Sequence, residues 1–127
     1  MLFNILSVNM DDHTKNISFL MDRSGAWRIS PAYDMGFSYN PDGRWANAHQ
    51  MTVNGKRDGI TEKDILEIAA AQSIQDPKAL MEQVDEAVSR FAGYAIQEGV
   101  PDREVKYIAD IIGEKRRLLF PSKSYLV

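Results

Sequence analysis

Asn9-Met10-Asp11-Asp12-His13-Thr14-Lys15-Asn16 and, one hairpin later, Ser30-Pro31-Ala32-Tyr33-Asp34-Met35-Gly36 are the stretches on which the reading of this chain turns. Between them, Ile17-Ser18-Phe19-Leu20-Met21 and Ala26-Trp27-Arg28-Ile29 read as strands, joined by a turn at Asp22-Arg23-Ser24-Gly25. Ile17, Phe19 and Met21 share one face, and Trp27 and Ile29 can pack against them. Pro31 ends the second strand because it has no N–H to give to a ladder. Asn16 and Asp34 therefore fall at the same end of one hairpin, and distance in sequence becomes proximity in space.

Outward from this hairpin the chain divides into two parts, residues 1–60 and 61–127. The first opens with apolar positions at Leu2, Phe3, Ile5, Leu6 and Val8, which read as the last turns of a buried helix. This run is too short to span a membrane and lacks a basic leader and a small-residue cleavage site. Asn40-Pro41-Asp42-Gly43 is a turn, Gln50–Val53 is a short strand candidate before Asn54-Gly55, and His49 is assigned to the surface or a loop. The aromatic residues Trp27, Tyr33, Phe37 and Trp45 are expected to pack.

The second part is helical in pattern. Thr61 and Asp64 form a capping-box pair, with Ile60 stapled onto Ile65. Asp76-Pro77 starts a helix whose stripe of Leu80, Val84, Ala87, Val88, Phe91, Ala95 and Ile96 ends at Gly99. Pro101-Asp102 opens another, carrying Val105, Ile108, Ile111, Ile112, Leu118 and Leu119 and stopped by Pro121; its Lys115-Arg116-Arg117 is expected on a solvated face. Short connections favour antiparallel neighbours. The expected fold is mainly α, a helical bundle with one small β-hairpin and a single compact core.

At 127 residues with 44% apolar and 26% charged residues, the chain has the composition of a globular protein. A net charge of −3 argues against broad binding to nucleic acid or anionic membrane. The absence of cysteine excludes disulfides and thiolate zinc sites, which fits a cytoplasmic protein.

Asp11 and Asn16 have the spacing of the Asp and Asn of a kinase catalytic loop, and Asp34-Met35-Gly36 reads as a variant of the Asp-Phe-Gly element. In such a site Asp11 accepts or orients the nucleophile's proton, while Asn16 and Asp34 offer oxygen ligands to magnesium. Lys15 can contact a transferring phosphate, and His13 can orient the loop or touch a phosphate. The same residues also read as a polar turn, and Asp11, Asp12 and His13 as part of a hydrolase metal site, although no second His motif accompanies them.

With both clusters in view, the chain resembles the C-terminal part of the HipA family, bacterial serine/threonine kinases of toxin–antitoxin systems. The resemblance rests on Asn9–Asn16, Ser18-Phe19 and Trp27–Asp34, and extends less specifically through Met51–Lys56 and Ile60-Thr61 into the helices. It implies a kinase C-lobe related to the phosphoinositide-kinase-like group. It also implies a catalytic Asp11, supporting roles for His13 and Lys15, Asn16 and Asp34 as magnesium ligands, and ATP as substrate. Met10 replaces the family's usual Thr. Implied partners are a helix-turn-helix antitoxin and a protein substrate; aminoacyl-tRNA synthetases serve as substrates in characterised branches.

A glycine-rich phosphate loop and a strand Lys paired with a helix Glu are absent from the sequence. The expectation is therefore a C-lobe inactive without an N-lobe supplied in cis or in trans, with self-association through Leu2, Phe3, Ile5 and Leu6. The alternative is a non-catalytic interaction module that binds an antitoxin or a partner kinase chain.

Overall fold

A five-residue helix cannot hold itself together in water, so α1 (Leu2–Leu6) depends on what it packs against. Ile5 and Leu6 are sealed from solvent, and α1 lies against two long helices of the second half. These belong to a computed structural model that describes residues 1–123; the last four residues of the 61–127 segment lie outside the described residues.

The helix ends in a Schellman turn: Asn9 N–H donates to Asn4 O at 2.8 Å and Val8 N–H to Ile5 O at 3.4 Å. Val8 sits at the left-handed position, with φ 57°, where glycine is usual. A β-branched residue there costs about 1–3 kcal/mol. Full burial of the Val8 side chain returns about 1.5–3 kcal/mol.

The turn delivers the chain into the polar loop, a single 3₁₀ turn at Thr14–Asn16, and the hairpin β1 (Phe19–Met21) and β2 (Trp27–Ile29). The strands are antiparallel, with Phe19 opposite Ile29 and Met21 opposite Trp27. The expected face is formed, but it is bare: Phe19, Met21, Trp27 and Ile29 are each about 60% exposed or more. Trp27 and Trp45 are thus not packing residues, whereas Phe37 is, meeting Tyr39 and Tyr107 edge-on.

The second half contains α2 (Glu62–Ala71), α3 (Pro77–Ser89), α4 (Phe91–Gln97) and α5 (Asp102–Leu119). Asp64 closes the cap of α2, accepting from Thr61 N–H at 2.9 Å and Thr61 Oγ at 2.7 Å. Asp76 accepts from Ala79 N–H at the start of α3, where Pro77 takes the first position. The stripe expected as one helix is broken at Arg90, whose ψ of −2° interrupts the ladder. Next to it the Ser89 hydroxyl donates to Glu86 O, competing for a helix carbonyl. Leu80 and Ile96, at the ends of that stripe, are exposed.

One apolar core draws on both halves: Ile5, Leu6, Met10 and Val53 meet Ile65, Met81, Val88, Ile112 and Leu119. The Lys115-Arg116 pair is not solvated as expected. Lys115 reaches Asp58 at 2.7 Å, and Arg116 forks onto Asp85 at 2.6 and 3.1 Å. No helix among the described residues is long and apolar enough to cross a membrane.

Leu6→Ala opens a void in this core and is expected to lower stability by about 3 kcal/mol, read from urea unfolding. Lys56, Asn54 and Thr61 hold the Asp64 carboxyl well below its ordinary 3.8. Its contribution is therefore complete above that value and is lost as pH falls through and below it. Urea midpoints should drop steeply in that range, and less steeply in Asp64→Asn.

Candidate functional site

After β2, the chain returns past Pro31 and is stitched to the loop that precedes β1. Met10 N–H donates to Ser38 O at 2.9 Å, and Ser38 N–H to Val8 O at 3.1 Å, a short parallel bridge. Asn9 completes the seam: its Nδ2 donates to Asn4 Oδ1 and to the Asp34 carbonyl, each at 3.2 Å. At the base of the hairpin, Ser18 Oγ donates to Ser30 Oγ at 2.9 Å. The Tyr33 hydroxyl donates to Lys15 O at 2.9 Å, closing the far side.

The result is a cleft. A cavity of about 290 Å³ opens among Asp12, His13, Asn16 and Asp34, walled by Ile29 of the hairpin and by Met51. A second hollow of about 320 Å³ includes Asp11 and Asp34. Asp34 borders both, with Asn16 on one side and Asp11 on the other. Asn16 Nδ2 donates to the Asp11 carbonyl at 3.0 Å, which leaves its amide oxygen as a free acceptor. Neither that oxygen nor the Asp34 carboxylate has a partner among the described residues.

The other sequence candidates are placed differently. His13 lines the first of these cavities, with Nε2 3.7 Å from Asp11 Oδ1 and a buried, unpartnered Nδ1. Lys15 is exposed, lines neither hollow, and contributes its backbone carbonyl to the site.

Two further residues were given other roles from sequence, Asp12 in a polar turn or a hydrolase metal site and His49 at the surface or in a loop. Asp12 is 7% exposed and His49, expected at the surface, is 1% exposed. His49 Nδ1 lies 3.0 Å from Asp12 Oδ2, while Gln50 and Met51 N–H donate to Oδ1 at 2.7 and 3.4 Å. Burial pushes the His49 pKa down, against the pull of the Asp12 charge. The imidazole is therefore neutral, with its proton on Nδ1 facing an acceptor-only carboxylate. The alternation Val8, Met10, Asp12 was the available signal, since it carries Asp12 to the apolar side. Nothing local marks His49, which is brought in by a contact far along the chain.

Gln50–Val53, expected as a strand, instead ends in a single bridge from Val53 to Lys56 around Asn54 and Gly55. Both turn residues have positive φ, 51° and 78°, as a tight two-residue reversal requires.

The family model of the HipA-like C-terminal domain matches residues 1–93. The chain belongs to this family. No curated protein and no solved structure matches the chain. The matched part of this HipA-like domain contains every candidate site residue. It stops within α4, while α5, beyond it, supplies Ile112 and Leu119 to the same core.

Asp34 occupies the left-handed region at φ 55°, a conformation that glycine adopts without strain. Asp34→Gly is expected to raise stability by up to about 1 kcal/mol, while Asp34→Ala lowers it by a similar amount. Paired urea titrations would show the opposite signs.

Proposed function

We propose that this HipA-like domain is the catalytic-loop lobe of an ATP-dependent serine/threonine protein kinase, folded as a protein-kinase-like C-lobe. The observation that carries the reading is that Asp34 borders two hollows, one shared with Asn16 and the other with Asp11, with the Asn16 amide oxygen and Asp34 carboxylate uncommitted to other groups. Among the described residues no three His, Cys, Asp or Glu side chains cluster to hold a metal by themselves. A carboxylate and one amide oxygen suit magnesium, which keeps several waters and shares its shell with nucleotide phosphates.

In this reading Asn16 and Asp34 hold the cation, which when bound neutralises charge on the phosphates. Asp11 accepts the proton of the substrate hydroxyl as its oxygen bonds to the γ-phosphorus and the bond to ADP breaks. His13, 3.7 Å from Asp11, orients that carboxylate. Lys15 is free to swing toward a transferring phosphate. The reaction would take place in the cytoplasm, on a protein substrate.

Transfer also needs a nucleotide-holding N-lobe, in cis or in trans. The bare apolar face of Phe19, Met21, Trp27 and Ile29 supports a covering partner there. Ile5 and Leu6, which the sequence offered for self-association, are buried and unavailable. The same face favours the second reading, a module that binds an antitoxin or partner kinase chain without catalysis.

Calorimetric titration with magnesium-ATP in the presence of a candidate N-lobe, beside Asp34→Ala, tests the site: binding is expected and should be lost in the variant. With a candidate N-lobe supplied, Asp11→Asn should reduce transfer about 10²–10⁴-fold. Partner binding unchanged by both substitutions, with no transfer, would favour the interaction module.

A further inference from the structure

Asp11 and Asp12 are adjacent but face opposite ways: the Asp11 side chain is 55% exposed and that of Asp12 is 8% exposed. Neighbouring residues in extended chain point to opposite sides, so whatever fixes Asp12 inward also aims Asp11 outward. Three donors fix Asp12, and all come from one short segment: His49 Nδ1, Gln50 N–H and Met51 N–H.

His49 is itself clamped. Its N–H donates to Arg57 O at 3.0 Å, and Arg57 Nε donates back to its carbonyl. These bonds fix the backbone from which the imidazole projects, and its burial at 1% exposure confines the ring. The same segment continues into Met51, Thr52 and Val53, which line the cavity together with Asn16 and Asp34. His49 thus joins one wall of the cleft to the loop on the other.

We propose that His49 is a positioning residue which, through Asp12, fixes the Asp11–Asn16 loop against the 49–53 segment and so sets the direction of Asp11 and Asn16. Its functional meaning rests on the catalytic reading above. Its physical content, that the two segments are held as one unit, does not. Burial of the neutral imidazole supports the assignment, because an uncharged donor can stay beside Asp12 without needing water.

The test uses the whole chain and three proteins: wild type, His49→Leu, which fills space without a donor, and His49→Asn, whose Nδ2 replaces the lost donor. Amide hydrogen exchange is followed at Gln50 and Met51 on one side and Asn16 and Ile17 on the other, with Ile112 as a core reference. In the wild type the two sides should exchange within about threefold of each other and with the same urea dependence. In His49→Leu the Asn16 and Ile17 amides should lose about tenfold more protection than Ile112, and His49→Asn should restore most of it.

Mn²⁺ alone is the second probe, read by broadening of the Asn16 and Asp34 amide signals. Its apparent affinity should fall about tenfold or more in His49→Leu and recover in His49→Asn. Equal behaviour of the Leu and Asn variants would overturn the proposal, because packing alone would then explain the site. So would independent exchange of the two sides in the wild type, a result that needs no variant to fold. Joint exchange without Mn²⁺ broadening in the wild type would support the brace and overturn the catalytic reading.

Discussion

Three carboxylates taken out of water, those of Asp12, Asp64 and Asp85, hold together what the apolar core does not reach. A buried carboxylate left unsatisfied is costly, so each compels a particular set of donors to converge. Asp12 gathers His49, Gln50 and Met51; Asp64 gathers Asn54, Lys56 and Thr61; Asp85 gathers Arg116 and Lys123. Between them they pin the loop, the long irregular segment and the end of α5 to the same body. Burial raises the Asp85 carboxyl, but Arg116 and Lys123 outweigh it and keep the group below its ordinary range.

The segment between the hairpin and α2 shows why this matters. It forms no strand beyond isolated bridges, and much of it is exposed. Regular ladders cannot order it, and neither can its own apolar content. Order comes from outside: Ser38 is bonded to residues 8 and 10, His49 to Asp12, and Asp58 to Lys115. The cleft is therefore bounded by two irregular stretches whose geometry depends on polar contacts between them. Strain accompanies this arrangement, with Val8 before the loop and Asp34 after the hairpin both at positive φ. In Val8 the strain is offset by burial. In Asp34 it falls on a residue proposed to bind a cation, a place where backbone strain is commonly kept.

Much of the site was legible because its parts are local. The five-residue step from Asp11 to Asn16, the hairpin with its Ser-Gly turn, and Pro31 at the strand end together place Asn16 beside Asp34, and both line one cavity. The caps at Thr61 and Asp76 were equally legible, because a side-chain oxygen two or three residues from an open N–H is a local event. What was not legible was long-range. The inward turn of Asp12, the burial of His49 and the engagement of Lys115 and Arg116 are all contacts made across the fold.

Sequence by itself determined the kinds of element and the chemistry available: a hairpin carrying a polar loop at its base, helices after residue 60, and oxygen-rich side chains in one neighbourhood. Periodicity, turn residues and caps act within a few residues, so they can be read without knowing the fold. Tertiary structure decided which apolar residues are covered. It buried Ile5 and Leu6, left Phe19, Met21, Trp27 and Ile29 bare, and broke the long stripe at Arg90. Those outcomes depend on the summed packing of segments far apart in the chain. No local pattern carries that sum.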